Sequence, residues 1–118
     1  MPRMNAPESE SRLTELDIAT ATGVWVVRSS SPTVYFIDAD DRMVFRARAE
    51  GSGAGPGDNK WCRLISLNRL PDGAVDTITV GSRHRYLLDP DPRGDQHQWW
   101  IQRVVLAIER VSDEAVPA

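Results

Sequence analysis

The chain is short of the residues that usually announce a chemistry. It has a single cysteine, Cys62, in 118 residues. An intramolecular disulfide is therefore impossible, and a reducing compartment is the simpler setting. The histidines are His84 and His97. With no C-x-x-C and no H-x3-H, the ligand spacing of a zinc site is absent, so no metal and no cofactor is expected. No segment approaches the ~18 continuous apolar residues of a membrane span. The opening "MPRMNAPESESRLTELD" holds no apolar run of the signal-peptide kind, which makes the cytoplasm the default expectation. An excess of positive charge is also missing. The formal net charge is −3, with the acidity in the ends: residues 24–111 carry twelve Lys/Arg and eleven Asp/Glu. A nucleic-acid module normally shows an overall basic balance.

What is present is an ordinary globular composition, 41% hydrophobic and 26% charged, in a chain long enough for one domain with a real core. Residues 1–22 are polar and free of aromatics, and are expected to be a disordered or weakly helical acidic tail with Leu13, Leu16 and Ile18 as anchors. From Gly23 the chain turns β-branched and aromatic. "VWVVRSS" predicts a strand over 24–30. "TVYFID" (33–38) and "RMVFRARA" (42–49) predict a hairpin across the acidic turn "DADD". "EGSGAGPGDN" reads as a mobile loop. "KWCRLISLNRL" (60–70) reads as a strand with imperfect alternation. Further strands are expected near 75–80 and 83–89, followed by the loop "PDPRGDQ". Residues 112–118 are expected to be a second disordered tail.

Residues 96–112 admit two readings. Ile101, Val104, Val105, Ile108 and Val111 share one helical face, whereas the density of β-branched and aromatic side chains favours strands. In "GVWVVRSSSPTVYFIDADDRMVFRA", the residues Trp25, Val26, Ser29, Ser30, Tyr35, Asp38 and Asp40 resemble the pattern of a group of small actinobacterial β-rich proteins. That pattern is an apolar strand, a Ser-rich turn and Tyr-x-x-Asp-x-Asp. "VVLAIERV" (104–111) is similar to that group's closing strand. The resemblance implies a mainly β domain and a strand at the C-terminal end, and no activity. The expected fold is thus a small antiparallel, partly open barrel or sandwich of about six or seven strands over residues 23–111. The alternative is an α+β domain with a helix at 96–112.

Candidate chemistry is sparse. The acidic runs lack the glycine and closing glutamate of a calcium loop. No serine sits in a nucleophile elbow, and a Cys62–His84 pair requires the two side chains to meet. The chain is expected not to be an enzyme. The informative feature is "WW": on a strand, Trp99 and Trp100 point to opposite faces. A chain this small has little material to cover both, so one indole is expected on the surface. In "SRHRY", Arg83 and Arg85 share one face, with His84 and Tyr86 on the other. Trp99, Trp100, Arg83, Arg85 and Tyr86 are the candidate binding residues. The expected partner is another protein or a second copy of the chain, with a nucleic acid bound along an arginine stripe as the alternative.

Overall fold

The computed structural model describes residues 12–49, 55, 57–91 and 96–118. Apart from one short 3-10 turn at Asp113–Ala115, the regular elements among these residues are strands. In chain order they are β1 (Arg12–Leu13), β2 (Glu15–Asp17), β3 (Val24–Ser29), β4 (Val34–Asp38), β5 (Met43–Ala47) and β6 (Trp61–Leu70). These are followed by β7 (Thr77–Thr79), β8 (Arg83–Asp89), β9 (Gln98–Gln102) and β10 (Val105–Arg110). Eight form one antiparallel sheet in the order β1-β10-β3-β4-β5-β6-β8-β9, and β2 pairs with β7 in a small second sheet. The mainly β expectation holds, with the strand count raised by the short strands β1 and β2 and by the division of the last segment into β9 and β10. The helical alternative for 96–112 does not, because that segment is β9 and β10.

The sheet curls on itself. β9 and β10 lie six places apart in the strand order, about 29 Å in a flat sheet. They are nevertheless joined by only Arg103 and Val104, which cannot span that distance. Hydrogen bonds at the corner confirm the curl: Ser30 N–H donates to Val104 O at 3.0 Å, and Val105 N–H to Ser82 O at 2.9 Å. The inward residues of distant strands therefore meet. The rings of Tyr35 on β4 and Tyr86 on β8 have centroids 4.8 Å apart, and Tyr35 meets Trp100 of β9 edge-on at 5.7 Å. β9 and β1 remain separate edges, so the barrel is not closed.

Two irregularities explain why the sequence pattern was hard to read. Between Leu64 and Ser66 the β6–β8 register shifts by a bulge. An extra residue in one strand reverses the alternation beyond it, so Cys62, Leu64 and Leu67 all face inward. The same device between Val105 and Ala107 of β10 puts Val105 and Ile108 in the core at a three-residue spacing. That spacing is what imitated a helical face.

The ends are less idle than expected. Within 12–22, β1 extends β10 and β2 pairs β7, while Leu16 and Ile18 are buried in the core. The expectation of a disordered or helical tail is thereby corrected for these residues; residues 1–11 lie outside the described part. The C-terminal segment also packs. Trp61 donates its indole N–H to Pro117 O at 2.9 Å, beside an outer aromatic row in which Phe45 meets Phe36 at 6.2 Å and Trp61 at 5.5 Å. Most of the expected loop 50–59, and residues 92–95, lie outside the described residues. No helix among the described residues is long and apolar enough to cross a membrane.

Candidate binding surface and polar cavity

β8 and β9 are aligned so that Tyr86 opposes Trp100, His84 opposes Gln102, and Arg85 opposes Ile101. Because side chains alternate, this register decides which of the candidate residues reach solvent. Trp99 is 48% exposed and Ile101 46%, and the Arg85 guanidinium stacks 4.7 Å from the Trp99 ring. Arg83 is exposed on the same strand as Arg85. Trp100 and Tyr86 are buried in the core. As surface contacts, those two are corrected: their positions in the alternation point them into the curl, against Tyr35.

Several arginines are held in ion pairs, while Arg83 and Arg85 are exposed and have no ion pair among the described residues. Arg42 pairs with Asp76 at 3.1 Å, Arg63 with Asp89 at 3.4 Å, and Arg69 with Asp72 at 2.6 Å and Glu15 at 3.3 Å. Glu109 takes both Arg12 and Arg28. Cys62 and His84 do not meet. Arg69, the cross-strand partner of His84, lies seven residues along β6 from Cys62, roughly 20 Å at the rise of a strand. The Cys62 thiol donates to Gly57 O at 3.5 Å, and burial pushes its pKa up, away from the reactive thiolate. His84 Nε2 accepts the Thr79 N–H at 3.0 Å. Burial, with help from nearby Arg69, lowers its pKa to about 4.

The acidic turns form backbone hydrogen bonds. Asp38 accepts the Asp41 N–H at 3.2 Å, and Asp40 the Gly23 N–H at 3.1 Å. Among the described residues no group of His, Cys, Asp and Glu is placed to hold a metal ion.

A polar cluster that the sequence reading missed lies on the inner side of the curl. Arg46 of β5 stacks 4.3 Å from the Trp100 ring and pairs with Asp58 at 2.5 Å. The Asp58 carboxylate is fully shielded from solvent, also faces Arg48 at 3.8 Å, and accepts the Gly55 N–H at 2.6 Å. Burial works against the Arg46 cation, but its hydrogen bonds to Asp58 and Tyr35 outweigh this and raise its pKa. Burial likewise raises the Tyr35 pKa, with Arg46 opposing. Tyr86, deeper in the core, is raised further by burial and donates its hydroxyl to Gln102 Oε1 at 2.8 Å. Four buried polar atoms here and nearby have no hydrogen-bond partner: Arg48 Nε, Gln102 Nε2, Trp100 Nε1 and His84 Nδ1. Arg46 and Arg48 stand two residues apart, the spacing of one strand face. Nothing in one-dimensional spacing joins them to Asp58, Tyr35 or Gln102, which reach the cluster from separate strands and a loop.

Comparison with known proteins gives no family: no family model, no curated protein and no solved structure matches this chain.

Proposed function

We propose that this chain is a non-enzymatic binding module whose partner is protein, a second copy of itself, docking on the outer face of β9 and on its outer edge, which pairs with no other strand among the described residues. The exposed Trp99 beside Ile101, on an edge strand, is the observation that carries this reading. Natural sheets blunt their edges with charge, proline or bulges. β9, "QWWIQ", has none of these. Indoles dominate interface energetics because they offer large area at low rotamer cost, and Arg85 already braces this one. Two β9 strands paired antiparallel about a twofold axis at Trp100 would set Trp99 of one copy opposite Ile101 of the other. That is a self-complementary contact of the kind twofold dimers use. With Arg63 and Arg69 held in ion pairs, the alternative, a nucleic acid held along an arginine stripe, has Arg83 and Arg85 as its exposed cations on β8.

Sedimentation across a concentration series tests the proposal. A reversible monomer–dimer equilibrium is expected, weakened about 30-fold by Trp99→Ser on the scale of a hot-spot residue. It should be little changed by Arg83→Ala and nearly insensitive to salt. A strictly monomeric protein at every concentration would refute the self-association. Steep salt dependence of oligonucleotide binding would move the assignment to nucleic acid.

A further inference from the structure

Next to the Arg46–Asp58 pair lies a cavity of about 130 Å3 whose lining is almost entirely polar and includes no carboxylate. Three arginines line it, Arg46, Arg48 and Arg103. Asp58 is the carboxylate that faces the first two. Arg103 sits exposed at the β9–β10 corner and has no ion-pair partner among the described residues. The hydroxyls of Ser29 and Ser31 also line the cavity. Their oxygens are used as acceptors, Ser29 Oγ for the Ser31 N–H and Ser31 Oγ for the Thr33 N–H, both at 3.2 Å. Each hydroxyl proton is thus left to donate elsewhere.

The most telling wall residue is Gln102. It is only 1% exposed and lines the cavity. Its carbonyl oxygen is taken by Tyr86, while its amide nitrogen has no partner. Arg48 Nε in the same wall is buried with no hydrogen bond, its contact being the 3.8 Å ion pair with Asp58. Buried donors are normally satisfied, so a wall with three guanidinium groups, free hydroxyl protons and the orphaned Gln102 amide N–H favours an acceptor-rich, anionic occupant. The volume equals that of about four waters at ~30 Å3 each, enough to hold a five-atom tetrahedral ion together with water.

We infer that this cavity binds a tetrahedral oxyanion, phosphate or sulfate, either free or as the terminal group of a small ester. Arg48 and Arg103 supply charge, Gln102 and the serine hydroxyls supply directed hydrogen bonds, and Asp58 holds Arg46 in place. Guanidinium–oxyanion hydrogen bonds are charge-assisted and geometrically matched. The mouth, flanked by exposed Ile101 and Arg103, leaves room for the remainder of an ester. Gln102, its innermost wall residue, is on the opposite face of β9 from Trp99, while Ile101 at the mouth also belongs to the proposed dimer contact.

The test is titration of the full chain with inorganic phosphate, inorganic sulfate, phenyl phosphate and acetate at constant ionic strength set with sodium chloride. The Gln102 side-chain amide and Arg48 Nε–H resonances report binding in 1H–15N spectra. Saturable shifts of both with phosphate and sulfate are expected, with acetate at least about tenfold weaker. Arg103→Gln, at an exposed position that leaves the fold intact, should weaken phosphate by about tenfold or more, the size of one charge-assisted bond. Gln102→Glu, which places a like charge in the wall, should abolish binding. Tighter binding of phenyl phosphate identifies an ester as the source, and equal or weaker binding the free ion. Resonances unmoved at tens of millimolar phosphate, acetate binding as well as phosphate, or binding indifferent to Arg103→Gln would each overturn the assignment.

Discussion

His84 makes the stability of this domain depend on mild acid. The side chain is fully buried, opposite Arg69 and Gln102, and its Nε2 accepts the Thr79 N–H. Burial and the nearby Arg69 cation lower its pKa from 6.5 to about 4. A proton taken up there in the folded state would displace the Thr79 hydrogen bond and place a cation in the core. The unfolded chain binds that proton near pH 6.5, whereas the folded chain resists it until about pH 4. The contribution to stability is therefore complete above pH 6.5 and is lost progressively as pH falls to about 4. Integrated from neutral pH down to pH 4, a shift of this size is worth about 3 kcal/mol. That is a large fraction of the 5–15 kcal/mol typical of a domain. Urea unfolding at pH 7.5, 6, 5 and 4 measures it, with His84→Asn as the control. The wild type should lose roughly 3 kcal/mol over this range and the variant, already weaker at neutral pH, far less. His97 is exposed and common to both proteins. Parallel curves for the two proteins would refute the assignment of the slope to His84.

Other perturbations separate the core from the surface. Trp100→Ala should cost about 3–5 kcal/mol in urea unfolding, and Trp99→Ala less than about 1 kcal/mol, although the two are neighbours in sequence. Asp58→Asn strands the partly buried Arg46 beside a neutral amide and should cost about 3 kcal/mol or more, read in the same assay. Gly57 has φ +84°, and a Cβ there would lie 3.1 Å from Leu88 Cδ1 and 3.3 Å from the Trp100 ring. Gly57→Ala should therefore lower the thermal midpoint, by at least the ~1–2 kcal/mol of a left-handed L-residue.

The strands could be read from sequence wherever alternation was clean. β3, β4, β5 and β8 fall within a residue or two of their expected bounds, because each has one face on a common core. β6 also falls within a residue of its expected bounds, but its inward face, like that of β10, was obscured where a bulge changed the phase, at Ile65 and Leu106. Reading failed where burial depended on a distant segment. Leu16 and Ile18 read as weak anchors until β2 finds β7, and the C-terminal tail reads as disorder until Pro117 meets Trp61. Half of the surface site was legible, since alternation alone sets Trp99 against Trp100. Which of the two is exposed was not, because that depends on the direction in which the sheet curls. The polar cavity was illegible for the same reason: Ser29, Arg48 and Gln102 are brought together only by the β9–β10 corner.

β9 ties these features together through its register. Five residues, "QWWIQ", serve two environments: Trp99 and Ile101 face outward, Trp100 and Gln102 inward. A one-residue slip against β8 would expose Trp100 and Gln102 and bury Trp99 and Ile101. The slip is resisted chiefly from the inner face, by the hydrogen bond from Tyr86 to Gln102 and the packing of Tyr35 and Arg46 on Trp100. Replacing Gln102 with leucine removes the hydrogen bond and leaves the Tyr86 hydroxyl buried without a partner, a penalty of about 1–3 kcal/mol. Its effect should extend outward along β9. Amide hydrogen exchange at Trp99 and Ile101 should quicken in Gln102→Leu by more than at β3 or β4. Uniform quickening across all strands would instead mean that β9 has no register control of its own and opens only when the whole domain unfolds.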